Sequence, residues 1–371
     1  MEKYFIKGAK LASVLLLITL SSTAQFNKNV TLRIGDTAPQ LKVEAFIRGK
    51  PVTKFEKGKV YVVDFWATWC GGCIASFPHI SYLANKYKNS VHFISVDSYE
   101  DAGEHKGEDP AQVVKTFLKT PIGQPLTLDV CVDGTDNAMY TNWVKPLRRN
   151  GFPTTFIIDQ DGKLAWMDVN LDNLEWALQL VLAKKWDLNK AAAVMKGRDD
   201  IEDILFFKAF REKGEQEKKS YQEVLKESEA FEERFPDRKA AVAFYKFMAL
   251  AELDKPQVPA ILEQMAADPL SKYINLDDAN GLTLRRNDLT KRDYEALVKV
   301  QERLLTNEHN GTGHGGKSVK AYENLADTYW KAGQGTQAVA TQEKAIAMAK
   351  VKNATDQKLD SLLRTLKRYK G

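Results

Sequence analysis

Cysteine is scarce in this chain: only Cys70, Cys73 and Cys131 occur among 371 residues. A small scaffold stapled by disulfides would carry more of them, at wider spacings. Charge of one sign is also in short supply. Lys and Arg number 54 against 49 Asp and Glu, a formal net charge of +5. That balance offers no broad basic face to nucleic acid or to an anionic membrane, so neither is expected as a partner. After residue 24 no stretch approaches the roughly 20 apolar residues of a spanning helix. Histidine is rare, with five residues, and no second cysteine or histidine pair stands at zinc-ligand spacing. No metal and no organic cofactor is implied. What remains is an ordinary globular composition, on a chain long enough for two or three domains.

The first residues have their own logic. Lys3, Lys7 and Lys10 precede the apolar run Leu11 to Leu20, and Ser22-Thr23-Ala24 forms a small-x-small site before Gln25. This reads as a secretory signal peptide over 1–24, cleaved after Ala24, and it places the mature protein in the periplasm. An uncleaved membrane anchor is the alternative. Disulfides persist in such a compartment. Yet Cys70 and Cys73 are separated only by Gly71-Gly72, and so short a loop constrains little of the unfolded chain. The pair reads as chemical rather than structural.

Residues 31–58 carry Gly35-Asp36, Pro39 and Gly49-Lys50-Pro51 between short apolar stretches, the pattern of a β-hairpin. Residues 59–66 are apolar around one carboxylate, Asp64, as a buried central strand would be. A helix is expected from Gly71 to about Lys88, with Pro78 as a kink. Val91 to Val96 reads as a strand, and Asp109-Pro110 as the cap and first residue of a helix reaching about Lys119. Thr154 to Asp159, a turn at Gln160-Asp161-Gly162-Lys163 and Leu164 to Met167 form a hairpin. Asp172 to about Lys184 is an amphipathic helix. This order describes an α/β domain over 25–185. Strand signals then stop, and 186–371 reads as a helical domain. Its Leu325, Ala326, Tyr329, Ala338 and Ala345 fit tetratricopeptide spacing, although Gln342 stands where a bulky apolar residue is usual. A generic helical bundle is the other reading.

The chemistry is concentrated in Val62-Val63-Asp64-Phe65-Trp66-Ala67-Thr68-Trp69-Cys70-Gly71-Gly72-Cys73. An apolar strand runs into two cysteines and then a helix. A thiol at a helix N-terminus meets free N–H groups and the positive end of the dipole, which favour its thiolate. The thiolate is the nucleophile of disulfide exchange, and a second cysteine nearly one turn on can close back and release a mixed disulfide. A carboxylate buried in the preceding strand has a raised pKa and can trade a proton near neutral pH.

Together with Gly35-Asp36-x-x-Pro39 and Gly151-Phe152-Pro153-Thr154-Thr155-Phe156, that run resembles the exported TlpA/ResA-like thiol–disulfide oxidoreductases of the thioredoxin superfamily. The resemblance covers about two fifths of the chain. It implies an α/β thioredoxin-like domain with an N-terminal β-hairpin extension, followed here by the all-α helical region. It implies Cys70 as attacking thiol, Cys73 as resolving thiol and Asp64 beneath Cys73 as proton acceptor. It also implies that Pro153 is cis and faces the disulfide, with Phe152 offering its backbone to a substrate chain and Trp69 shaping the docking surface. Substrates would be protein disulfides, served by an unidentified electron donor, a membrane-bound one among the candidates. The helical domain would engage a protein partner or a second copy of the chain. Two features depart from the family pattern. Gly71-Gly72 replaces the usual Gly-Pro and carries no histidine to stabilise the Cys70 thiolate, which favours the reductase direction. Ser76 stands where many relatives have glutamate, which leaves more weight on Asp64. The stretch from about 98 to 150 is long, and it can reshape the docking face.

Three other readings are weaker. Gly311 to Ser318 matches G-x-x-x-x-G-K-S, but no strand precedes it and no magnesium-binding aspartate follows, so an inter-helix loop is expected. His309 and His314 in that loop have no third ligand. Cys131 alternates within a strand pattern and is expected in the core. As alternatives to a reductase, the helical region makes a scaffold with an accessory redox domain. A thiol peroxidase would need P-x-x-x-T-x-x-C, where this chain has Val63 and Ala67.

Overall fold

The computed structural model describes residues 30–103, 105–253, 256–307 and 315–371. The signal peptide expected over 1–24, His309, His314 and the first half of the phosphate-loop look-alike lie outside these residues. The chain divides into two compact units, one ending at Met195 and the other beginning at Lys196.

The first unit is built on a mixed sheet. Its strands are β1 (Ala45–Arg48), β2 (Val60–Trp66), β3 (Val91–Asp97), β4 (Asp129–Val132), β5 (Thr154–Ile158) and β6 (Leu164–Asp168). Their order is β1-β4-β3-β2-β5-β6. The pairs β2/β3 and β3/β4 are parallel, while β1/β4, β2/β5 and β5/β6 are antiparallel. Every residue of β2 is buried because the strand is central and both faces are covered. Val60, Val62 and Trp66 face the helices α1 (Gly71–Lys86), α2 (Pro110–Phe117) and α3 (Leu174–Leu182). Tyr61, Val63 and Phe65 face the opposite core, around Trp143 and Phe156. Asp64 shares the α1 face by the same alternation. Asp109 caps α2 by accepting the Ala111 N–H at 3.0 Å, with Pro110 in the first turn.

One expectation fails. Residues 31–58 do not make a hairpin: they hold one strand, β1, and it pairs with β4. The stretch before it lies along β6 instead, with Gly35 N–H on Leu164 O at 2.8 Å and a bridge from Thr37 to Lys163. Turn residues and alternation mark a strand but do not choose its neighbour, and the wide sheet offered both flanks a better partner than each other.

The second unit is helical throughout its described residues. Consecutive helices pack on one another, from α5 (Glu215–Arg234) to α12 (Asp356–Lys370). Leu325, Ala326 and Tyr329 on α10 (Val319–Lys331) are buried with Ala338 and Ala345 on α11 (Gly335–Val351). Small side chains there let the two helices approach closely. The odd residue, Gln342, is fully buried, and its amide N–H donates to Leu362 O at 2.9 Å, tying α11 to α12. Ser318 and Thr355 cap α10 and α12 by accepting the N–H groups of Ala321 and Lys358.

Candidate active site

Strand β2 ends at Trp66, and the turn Ala67–Cys70 closes with Cys70 N–H on Ala67 O at 3.0 Å. Cys70 is the N-cap of α1 and its sulfur accepts the Cys73 N–H at 3.2 Å. This is the position at which free N–H groups and the helix dipole stabilise negative charge on sulfur. Cys70 and Cys73 are joined as a disulfide. Cys70 is 7% exposed and Cys73 1%, so Cys70 is the more accessible of the two. Gly71 and Gly72 are exposed. A Cβ on Gly72 would meet Pro153 at 3.7 Å, so the proline ring lies over the loop between the cysteines. The Phe152–Pro153 bond is cis.

Asp64 is fully buried, and one oxygen accepts the Thr155 hydroxyl at 2.6 Å across β5. Burial pushes its carboxyl up to about 7, while the Thr155 hydrogen bond works in the other direction. Ser76 donates its hydroxyl to Cys73 O at 2.7 Å and so serves the helix backbone.

Beside the disulfide stands a set of rings. Trp69 packs on Phe152 with centroids 6.0 Å apart, Phe152 on Tyr140 at 5.8 Å, and Tyr140 stacks on Tyr99 at 4.7 Å. Trp69 Nε1 donates to Tyr99 O at 3.2 Å. Gly103 is what lets Trp69 lie there, since a Cβ on it would come within 2.3 Å of the indole. The long segment between β3 and β5 thus supplies Tyr99, Gly103 and Tyr140 to the surroundings of the disulfide. None of these was singled out in the sequence, and neither was Glu100, which accepts the backbone N–H and hydroxyl of Thr68 at 2.7 and 2.6 Å.

Cys131 stands apart. It is fully buried in the core on the other face of the sheet from Cys70 and Cys73, and burial pushes its thiol up. A thiol so held is a poor nucleophile.

Comparison with known proteins matches residues 33–176 to the Redoxin family. The chain is 31% identical over 166 residues to the thiol-disulfide oxidoreductase ResA of Bacillus cereus, spanning 43% of this chain and 86% of that protein. It is 29% identical over 162 residues to protein FixW of Rhizobium leguminosarum, spanning 42% of this chain and 69% of that one. Among solved structures, StoA from Bacillus subtilis is 19% identical with a TM-score of 0.30, spanning 38% of this chain and 99% of that chain. With its cysteine pair at the head of a helix on a thioredoxin-like sheet, the chain belongs to the ResA-type thiol–disulfide oxidoreductases of the redoxin family.

Proposed function

We propose that the protein is an exported reductase of protein disulfides, in which Cys70 attacks and Cys73 resolves. The observation that carries this reading is the difference between the two sulfurs: Cys70 caps α1 and is the more accessible, and Cys73 lies deeper. In the reduced protein the Cys70 thiolate attacks one sulfur of a substrate disulfide. The substrate's S–S bond breaks, a mixed disulfide forms, and the departing sulfur takes a proton. Cys73 then loses its proton to Asp64 and attacks Cys70 Sγ. The second substrate sulfur leaves and takes a proton, and Cys70–Cys73 closes as a disulfide, having given two electrons to the substrate. A separate electron donor, membrane-bound or soluble, returns the pair to dithiol.

Trp69, Phe152 and Pro153 form the docking edge, where the backbone beside Pro153 pairs with an extended substrate chain. Gly71-Gly72 supports the reductase direction, since neither residue adds a charge that would stabilise the Cys70 thiolate further. The helical half, from about residue 186 in sequence, binds a protein partner or a second copy of the chain, as stacked helix pairs of the tetratricopeptide kind do. Insulin reduction by dithiothreitol tests the central claim. The full chain should accelerate precipitation of the insulin B chain, and Cys70→Ser should abolish the acceleration. Equal rates with and without the protein would refute it.

A further inference from the structure

The redox unit buries two more carboxyls that face each other. Asp97 ends β3 fully buried, and Glu100, in the short turn Glu100–Ala102, is 4% exposed. Both Glu100 oxygens are engaged by Thr68, one on its N–H and one on its hydroxyl. Neither Asp97 oxygen receives a hydrogen bond from an amide, an amine or a hydroxyl. Burial first, then the charge of Glu100 and its contact, then Asp133, hold Asp97 well above the usual carboxylate range. The other titratable neighbours are acids too. Asp133 is raised by burial, against the opposing bonds from Ser98, Met139 N–H and Tyr140 N–H. Cys131 feels Asp97 and Asp133 in addition to burial.

Thr68 stands two residues before Cys70, in the turn that presents it. Tyr99, between the acids, has φ 65 and ψ 38, a left-handed conformation that costs a non-glycine residue energy. Its carbonyl holds the Trp69 indole. Strain at that point persists only where its neighbours fix it, and Glu100 on Thr68 is such a fixture. We infer that Glu100 is a positioning residue for the nucleophile: buried beside Asp97, it clamps Thr68 by its backbone N–H and its hydroxyl, which fixes the turn carrying Trp69 and Cys70.

The inference rests on the reading of Cys70 as the attacking thiol, and its test separates the two. The reduced full chain is alkylated with iodoacetamide from about pH 6 to about pH 10, and each cysteine is followed by mass spectrometry. If Cys73 reacts before Cys70, the nucleophile is misassigned, whatever the profile. In the wild type the Cys70 rate should climb with thiolate fraction, and Glu100→Gln, which keeps a carbonyl for the Thr68 N–H, should retain most of that rate. Glu100→Ala should react about tenfold more slowly across the range, since small misplacement of a reacting group is costly. A folded Glu100→Ala with the wild-type rate would overturn the inference, and so would a Glu100→Gln as slow as Glu100→Ala. Should Glu100→Ala fail to fold, Thr68→Val replaces it. It removes only the hydroxyl donor, and an unchanged Cys70 rate there overturns the clamp.

Discussion

Replacing Asp64 by asparagine should raise the stability of the redox unit at alkaline pH and slow its chemistry at neutral pH. The Asp64 carboxyl stands at about 7 against an ordinary 3.8. The folded state therefore holds this proton more tightly than the unfolded chain does. The stability it contributes is complete below about pH 4, falls as pH rises, and is gone above about pH 7. At 1.36 kcal/mol per pKa unit, the ionised side chain costs the fold about 4 kcal/mol at pH 8 relative to pH 4. An asparagine in its place would not titrate. The asparagine carbonyl can still accept the Thr155 hydroxyl, but its amide N–H groups need partners, a penalty of about 1–3 kcal/mol that does not change with pH. Comparing two pH values cancels that constant. Urea unfolding of the oxidised protein, followed by tryptophan fluorescence, suits the measurement, because six of the seven tryptophans precede residue 196. The stability difference between Asp64→Asn and wild type should move about 4 kcal/mol in the variant's favour between about pH 4 and pH 8. A difference that stays constant with pH would refute the reasoning, because it would mean that Asp64 titrates alike in the folded and unfolded chain.

The remaining predictions concern roles and boundaries. Cys73→Ser should accumulate mixed disulfides on Cys70, read by mass spectrometry of peptides after incubation with a disulfide substrate; adducts on Cys131 would contradict the assignment. Gly103→Ala places a methyl where the Trp69 indole lies. It should raise KM for a protein disulfide several-fold with little change in reactivity toward a small disulfide, and an unchanged KM would remove Trp69 from the docking edge. A chain of residues 25–195 should fold and reduce insulin, because Leu188, Ala191, Ala192 and Met195 pack on the core of the first unit. Stopping at 185 removes these contacts and should lower its unfolding midpoint. If the 25–195 chain is unfolded by circular dichroism, the two halves are one cooperative unit.

The parts of this molecule that could be read from sequence are those settled by near neighbours. Cys70 caps α1 because of where the strand ends. Asp109-Pro110 opens α2 by its own side chain and ring. The alternation in β2 sorts Val62 from Val63 and carries Asp64 to the α1 face. What escaped depends on partners far along the chain. β1 needed β4, eighty-odd residues on, before its place in the sheet existed. Gln342 looked like a fault in a helical repeat until Leu362 O met it. Glu100 is one acid in a polar stretch, and nothing local says that it will be buried against Thr68, 32 residues earlier.

The same distinction explains why the site's electrostatics were half legible. Asp64 sits inside an apolar strand, so its desolvation could be read directly from the residues on either side. Asp97 also ends an apolar strand and is raised first by burial, but Glu100 and, from beyond β4, Asp133 add to that, and neither addition shows in the strand itself. Burial raises both carboxyls, and at Asp97 a second acid raises it further. Asp64 faces no such neighbour, with the Thr155 hydroxyl as its polar contact. Of the two, Asp64 is therefore the carboxyl raised by burial with no second acid beside it, which suits the role proposed for it as acceptor of the Cys73 proton.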